Sequence, residues 1–93
     1  MRDFGLQIAV VDNGFVYIGY IHLEDGFFVI KNGYNVRRQG TTAGYGQLAM
    51  NGPTKDSGLD EVPLTLVPYS RLVHFIQCNP EKWDHKIENP GVN

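Results

Sequence analysis

Three observations predict an all-β domain, a small and strongly bent five-stranded barrel. Turn signals at Asp12-Asn13-Gly14 and Leu23-Glu24-Asp25-Gly26 bracket a run rich in aromatic and β-branched residues, Phe15 to Leu23, and Phe27 to Ile30 resumes a strand beyond the second turn. Gly19 interrupts the first of these strands. A glycine inside so apolar a run loses packing and backbone entropy, so it marks a sharp bend, a bulge or a close backbone approach, and bent strands let a very small sheet curl closed. The composition agrees: eleven glycines and five prolines supply turns, while Leu, Ile, Val, five Phe, five Tyr and one Trp supply a core.

The 93 residues form one domain, with a core that removes ~60 to 65% of the unfolded chain's surface from water. A single cysteine, Cys78, excludes an intramolecular disulfide and a cysteine metal cluster. Met1 to Gly5 lacks the apolar run of a signal peptide, and no segment approaches the ~20 apolar residues of a membrane span. The expectation is a soluble, cytoplasmic protein with no membrane partner. A formal charge of −2 gives no global attraction to nucleic acid, so such binding requires a local patch or stacking.

In chain order, Leu6 to Val11 reads as the first strand, with Phe4 plugging one end of the barrel; the five residues before it are too few for a stable helix. In the bent strand Tyr17, Gly19 and Ile21 share one face and Val16, Ile18 and Tyr20 the other. Both faces are therefore largely apolar, one expected to be core and the other an interface or a covered wall. Asn32-Gly33 is expected to bulge or turn the next strand, which extends through Tyr34 to Gln39. From Gly40 to Asp60 the composition shifts to Gly, Thr, Ser, Asn and Pro, an expected long loop or hairpin extension. Val62 to Val67 alternates as a strand, Pro68 to Arg71 makes a tight turn, and Leu72 to Cys78 forms the last strand. Residues 1–79 thus compose the barrel. Residues 80–93 compose a polar tail, expected to be peripheral, with a helical turn opened by Pro80 and anchored by Trp83.

Gly14, Tyr17, Gly19, Ile21, Asp25 and Phe27 reproduce the spacing of the first Sm motif, and the two short strands around Pro68 to Arg71 resemble the second. The chain therefore resembles the Sm-like family, which includes Sm, Lsm and Hfq proteins, as a divergent member with an SH3-like/Sm-like barrel but without a full N-terminal helix. In this reading Gly14 and Gly19 are structural. The resemblance implies that an aromatic at Phe27 stacks a base, for which stacking is worth ~1 to 3 kcal/mol, and that Asp25 accompanies it. Two elements of the family site are missing: Val29 stands where a polar residue hydrogen-bonds the base, and Pro68-Tyr69 replaces the basic residue and its glycine. Tyr69 and Arg71 are candidates to rebuild the site, and Lys31, Arg37 and Arg38 form the only compact basic group. Phe27 reads also, and more simply, as a core or interface aromatic, and the arginines as a solvated strand end.

The resemblance also implies assembly. Subunits of that family close into rings by pairing the fourth strand of one protomer with the fifth of the next, which hides the exposed edges. Leu64, Leu66, Leu72, His74, Phe75 and Ile76 are the candidate interface residues, and a homo-oligomer of about five to seven protomers is expected. Pro63 and Pro68 bracket the fourth strand and limit its bonding, since proline has no N–H to donate.

No constellation carries catalysis. His22, His74 and His85 lack metal-site spacing, Cys78 has no nucleophile motif, and Gly44-Tyr45-Gly46 with Ala49 matches a dinucleotide fingerprint without its preceding strand. No catalytic residue, metal or cofactor is assigned. The leading expectation is a non-catalytic ring-forming protein that binds single-stranded RNA or acts in RNA metabolism. The alternatives are a viral or mobile-element adaptor ring whose RNA site has decayed, and a monomeric SH3-like peptide binder with Tyr34, Tyr45 and Tyr69 in one groove.

Overall fold

A computed structural model describes residues 1–91 of the chain. Six strands form one antiparallel, barrel-like sheet: β1 (Arg2–Val11), β2 (Val16–Glu24), β3 (Phe27–Arg38), β4 (Gly58–Glu61), β5 (Thr65–Pro68) and β6 (Leu72–Gln77). Their order is β4-β3-β2-β1-β6, and β5 pairs with the first half of β3, Phe27 to Ile30. β4 takes the second half, from Tyr34 to Arg38. The fold is thus all-β, with one strand more than expected, because part of the glycine-rich stretch pairs as β4.

The bend falls where Gly19 and Asn32-Gly33 meet. Ile18 pairs with Tyr34 but Tyr20 pairs with Lys31, so one residue of β2 faces two of β3. Asn32 adopts φ 55, and a Cβ on Gly19 would stand 2.7 Å from Ile30 Cγ2 and 3.0 Å from Gly33 Cα. Glycine is required there by the closeness of the backbones. Both expected turns form, but they differ in type. The primed turn forms at Asp25-Gly26, where both residues have positive φ (52 and 84), whereas at Asp12-Asn13-Gly14 only Gly14 does. The first loop instead closes with Gly14 N donating to Val11 O (3.0 Å) and Val11 N to Phe15 O (3.0 Å).

β1 starts earlier than expected, and Phe4 does pack at the end of the inner cluster, 5.8 Å from Phe28 and 5.2 Å from Phe75 between ring centroids. That inner cluster holds Ala9, Val11, Ile21, Phe28, Ile30 and Val67. The opposite face of β1 and β2 carries a second cluster, with Leu6, Ile8, Val16 and Ile18. Two segments cover it, and both correct the sequence reading. The first is a helix, α1 (Tyr45–Asn51), inside the expected loop. Gln47 Oε1 accepts from Ala43 N (2.6 Å) at its start, and Gly52, at φ 86, donates to Leu48 O (3.0 Å) at its end. Seven residues are too few to be helical on their own; burial of Leu48 and Ala49 holds them.

The second covering segment is the C-terminal tail, which is not peripheral; its last two positions, 92 and 93, lie outside the described residues. After a 3₁₀ turn at Pro80–Lys82, Trp83 and Ile87 are buried, at 0% and 1% exposure, against Leu48, Ala49 and Cys78. The Trp83 indole donates to Ala49 O (3.1 Å), an acceptor it shares with Asn79 N (3.0 Å). Helix and tail therefore hold each other on the sheet. The strand expected to end at Cys78 stops at Gln77, and the strand expected from Val62 begins only at Thr65, after Pro63.

Candidate functional site

The outer face of the sheet continues past the helix and tail, and there it is bare. Beyond Tyr20, β2 presents His22 and Glu24, β3 presents Phe27, Val29 and Lys31, and the β5 segment presents Leu64 and Leu66. Together with Asp25 they line a shallow groove of about 390 Å³. Buried Val29 forms its floor, while Phe27 (41% exposed), Leu64 (59%) and Leu66 (52%) form apolar walls. At one rim His22, itself nearly buried, lies 3.0 Å from Glu24 Oε1 through Nε2.

Of the residues expected at an RNA site, Asp25, Phe27 and Lys31 meet in this groove. The others do not. Tyr69 lies on the 3₁₀ turn Tyr69–Arg71, stacked on Phe28 at 5.5 Å, with its backbone N bonded to Gly26 O (2.9 Å). Arg71 reaches the first hairpin instead, 3.1 Å from Asp12 Oδ2, while Asp12 N donates to Arg71 O (2.9 Å). It borders a second groove of about 350 Å³ with Phe15, Tyr17, Leu66 and Pro68. Arg37 and Arg38 stand beyond the bulge, on the half of β3 that pairs with β4. Arg37 grips Asp60 with two bonds (3.0 and 3.3 Å), which push the guanidinium pKa still higher, and Arg38 Nε donates to Asp56 O (2.7 Å). The two arginines of that basic group are thus committed to Asp60 on β4 and to Asp56 just before it, while Lys31 stays in the groove.

The expected interface residues also divide. Leu64 and Leu66 are exposed, and so is His74, but Leu72 and Phe75 pack on the inner cluster and Ile76 on the outer one. The exposed apolar residue of β6 is Val73 (58%), which the sequence reading missed. It escapes the ladder because Val10 pairs with His74 and Val11 with Leu72, a bulge that breaks the alternation on which sequence reasoning depends. Among the described residues, β6 pairs only with β1, and β5 only with β3. Each strand therefore has a free edge, with alternate N–H and C=O groups directed away from the sheet.

Tyr34 and Tyr45 pack on the outer cluster and Tyr69 on Phe28, so the three tyrosines do not share a groove. Among the described residues, no three His, Cys, Asp or Glu side chains cluster to hold a metal, and no helix is long and apolar enough to cross a membrane. Burial pushes the Cys78 thiol up to about 12, which leaves it protonated and inert at neutral pH. A scan against protein-family models and a search of the curated proteins find no match for the chain.

Proposed function

We propose that this protein is a non-catalytic assembly component whose copies join head to tail, β5 of one to β6 of the next, into a closed homo-oligomer of about five to seven protomers. The observation that carries this reading is that β5 and β6 present unlike free edges beside exposed apolar side chains, whereas β4, which among the described residues also pairs on one side only, carries no large exposed apolar residue. Two different edges on one chain generate a heterologous contact, which closes into a ring when the rotation per subunit allows it. Exposed Leu64, Leu66 and Val73 lie beside these edges, where pairing removes them from water. The Sm-like resemblance supports the same contact.

RNA binding is the second reading, favoured by the exposed ring of Phe27 beside Lys31. Loss of Arg37, Arg38 and Arg71 to intramolecular partners weakens it. Solution mass, by light scattering coupled to size exclusion at two salt concentrations, tests the assembly. The expected result is one discrete species at an integral multiple of 10.5 kDa. A monomer at micromolar concentration overturns the reading.

A further inference from the structure

The sequence contains three Asn-Gly pairs, Asn13-Gly14, Asn32-Gly33 and Asn51-Gly52. An asparagine before glycine is open to attack by its own backbone, because no Cβ on the following residue obstructs the approach of its nitrogen to the amide carbon. The fold protects two of the pairs. Asn32 Nδ2 donates to Glu88 O (2.8 Å), which ties its amide to the tail, and Gly33 is buried in the bulge of β3. Gly52 is buried too, between α1 and the tail: its N donates to Leu48 O (3.0 Å), and a Cβ there would stand 2.5 Å from Lys82 O. Asp12 to Phe15, by contrast, are all exposed. Gly14 N does donate to Val11 O (3.0 Å), but in a solvated loop water replaces that bond whenever the loop opens.

We infer that Asn13-Gly14 is a self-modification site, at which the folded chain converts Asn13 to a mixture of aspartate and isoaspartate. Gly14 N, its proton taken by hydroxide, bonds to Asn13 Cγ; the Cγ–Nδ2 bond breaks and ammonia leaves. Water then opens the resulting five-membered imide at either carbonyl. The hairpin is arranged for the first step. Phe15 N donates to Asn13 Oδ1 (3.0 Å), which folds the amide back over the following peptide and places an N–H on the oxygen that gains negative charge as Cγ is attacked. The product matters to its surroundings. Asn13 lines the groove of about 350 Å³ that Leu66 and Pro68 of β5 also border, so conversion adds a carboxylate there beside Asp12, which already holds Arg71. The isoaspartyl form also lengthens the backbone by one methylene inside a loop closed by two backbone bonds.

The test incubates the full chain at mildly alkaline pH, folded and in concentrated urea, and follows all three asparagines by peptide mapping and enzymatic methylation of isoaspartate. In urea the three pairs should convert at similar rates. In the folded chain Asn13 should convert at least about tenfold faster than Asn32 and Asn51, the equivalent of one protected backbone bond that must open first. Asn13→Ser keeps an oxygen that can accept from Phe15 N and should abolish the early acidic species. Folded protein in which Asn13 stays an amide as long as Asn51, or in which Asn32 or Asn51 converts first, overturns the inference. So does an acidic species that persists in Asn13→Ser, or a product at Asn13 that contains aspartate without isoaspartate, since the cyclic intermediate yields both.

Discussion

The outer face of the sheet is one surface in two states. Toward its middle Val16, Ile18 and Tyr20 lie beneath α1 and the tail, sealed by Trp83 and Ile87; a few residues further along, Phe27, Leu64 and Leu66 stand open. Both halves are apolar, yet the chain covers one and leaves the other. The difference separates two uses of the same chemistry. A half covered from within contributes to folding, because the apolar area is removed from water in every copy at any concentration. In the proposed assembly the half left open contributes when a second copy covers it. It sits beside the free edge of β5, where strand pairing satisfies backbone groups as well as burying side chains.

Changes in the covered half should act on stability, and the largest should follow Trp83→Ala. That substitution opens a cavity between α1 and the sheet and removes the indole bond to Ala49 O, at a cost of about 3 to 5 kcal/mol in urea denaturation. An unchanged urea midpoint would make the tail an ornament. The second test is pH. The buried Cys78 thiol stands at about 12 against an ordinary 9.0, so between these values the unfolded chain releases a proton that the folded chain retains. Its contribution to stability is complete below pH 9 and is lost progressively as pH rises toward 12. Cys78→Ala should flatten the fall in urea midpoint between pH 8 and pH 10.5 relative to wild type.

Gly52→Ala addresses the junction of helix and tail. At φ 86 with Lys82 O only 2.5 Å from the new Cβ, it should cost about 1 to 3 kcal/mol by thermal melting, with no loss of strand signal. In the bare half the expectation reverses. Leu66→Ser should cost the isolated fold about 1 kcal/mol or less while weakening self-association, so a large drop in melting temperature would show that Leu66 belongs to the core after all. Smallest of all is Arg71→Ala. Its ion pair with Asp12 is largely exposed, and its loss should change stability by about 0 to 1 kcal/mol, read from the same melts.

Much of the sheet was legible in short stretches of sequence. Turn chemistry acts over two to four residues, so Asp25-Gly26 announces its hairpin and Gly19 its bend without reference to anything distant. The apolar character of both faces of β2 was likewise readable, as was the need for something to cover the second. What covers it was not. Tyr45 to Asn51 is too short, and too closely flanked by glycines, to declare a helix, and Trp83 lies in a polar tail; each is held by the other through Ala49 O. The candidate site shows the same division. Asp25, Phe27 and Lys31 are close in sequence and stay together in space, whereas the fate of Arg37, Arg38 and Arg71 depended on carbonyls and carboxylates 18 to 59 positions away.

The sequence by itself therefore determined the β class, the two hairpins and the bend, because these follow from backbone freedom at single glycines and from local alternation. Tertiary structure alone decided which apolar face was sealed, which cations were neutralised, and that Val73 was left exposed. Those outcomes depend on where distant segments land and on a register shift in β6, and no short window of residues contains either.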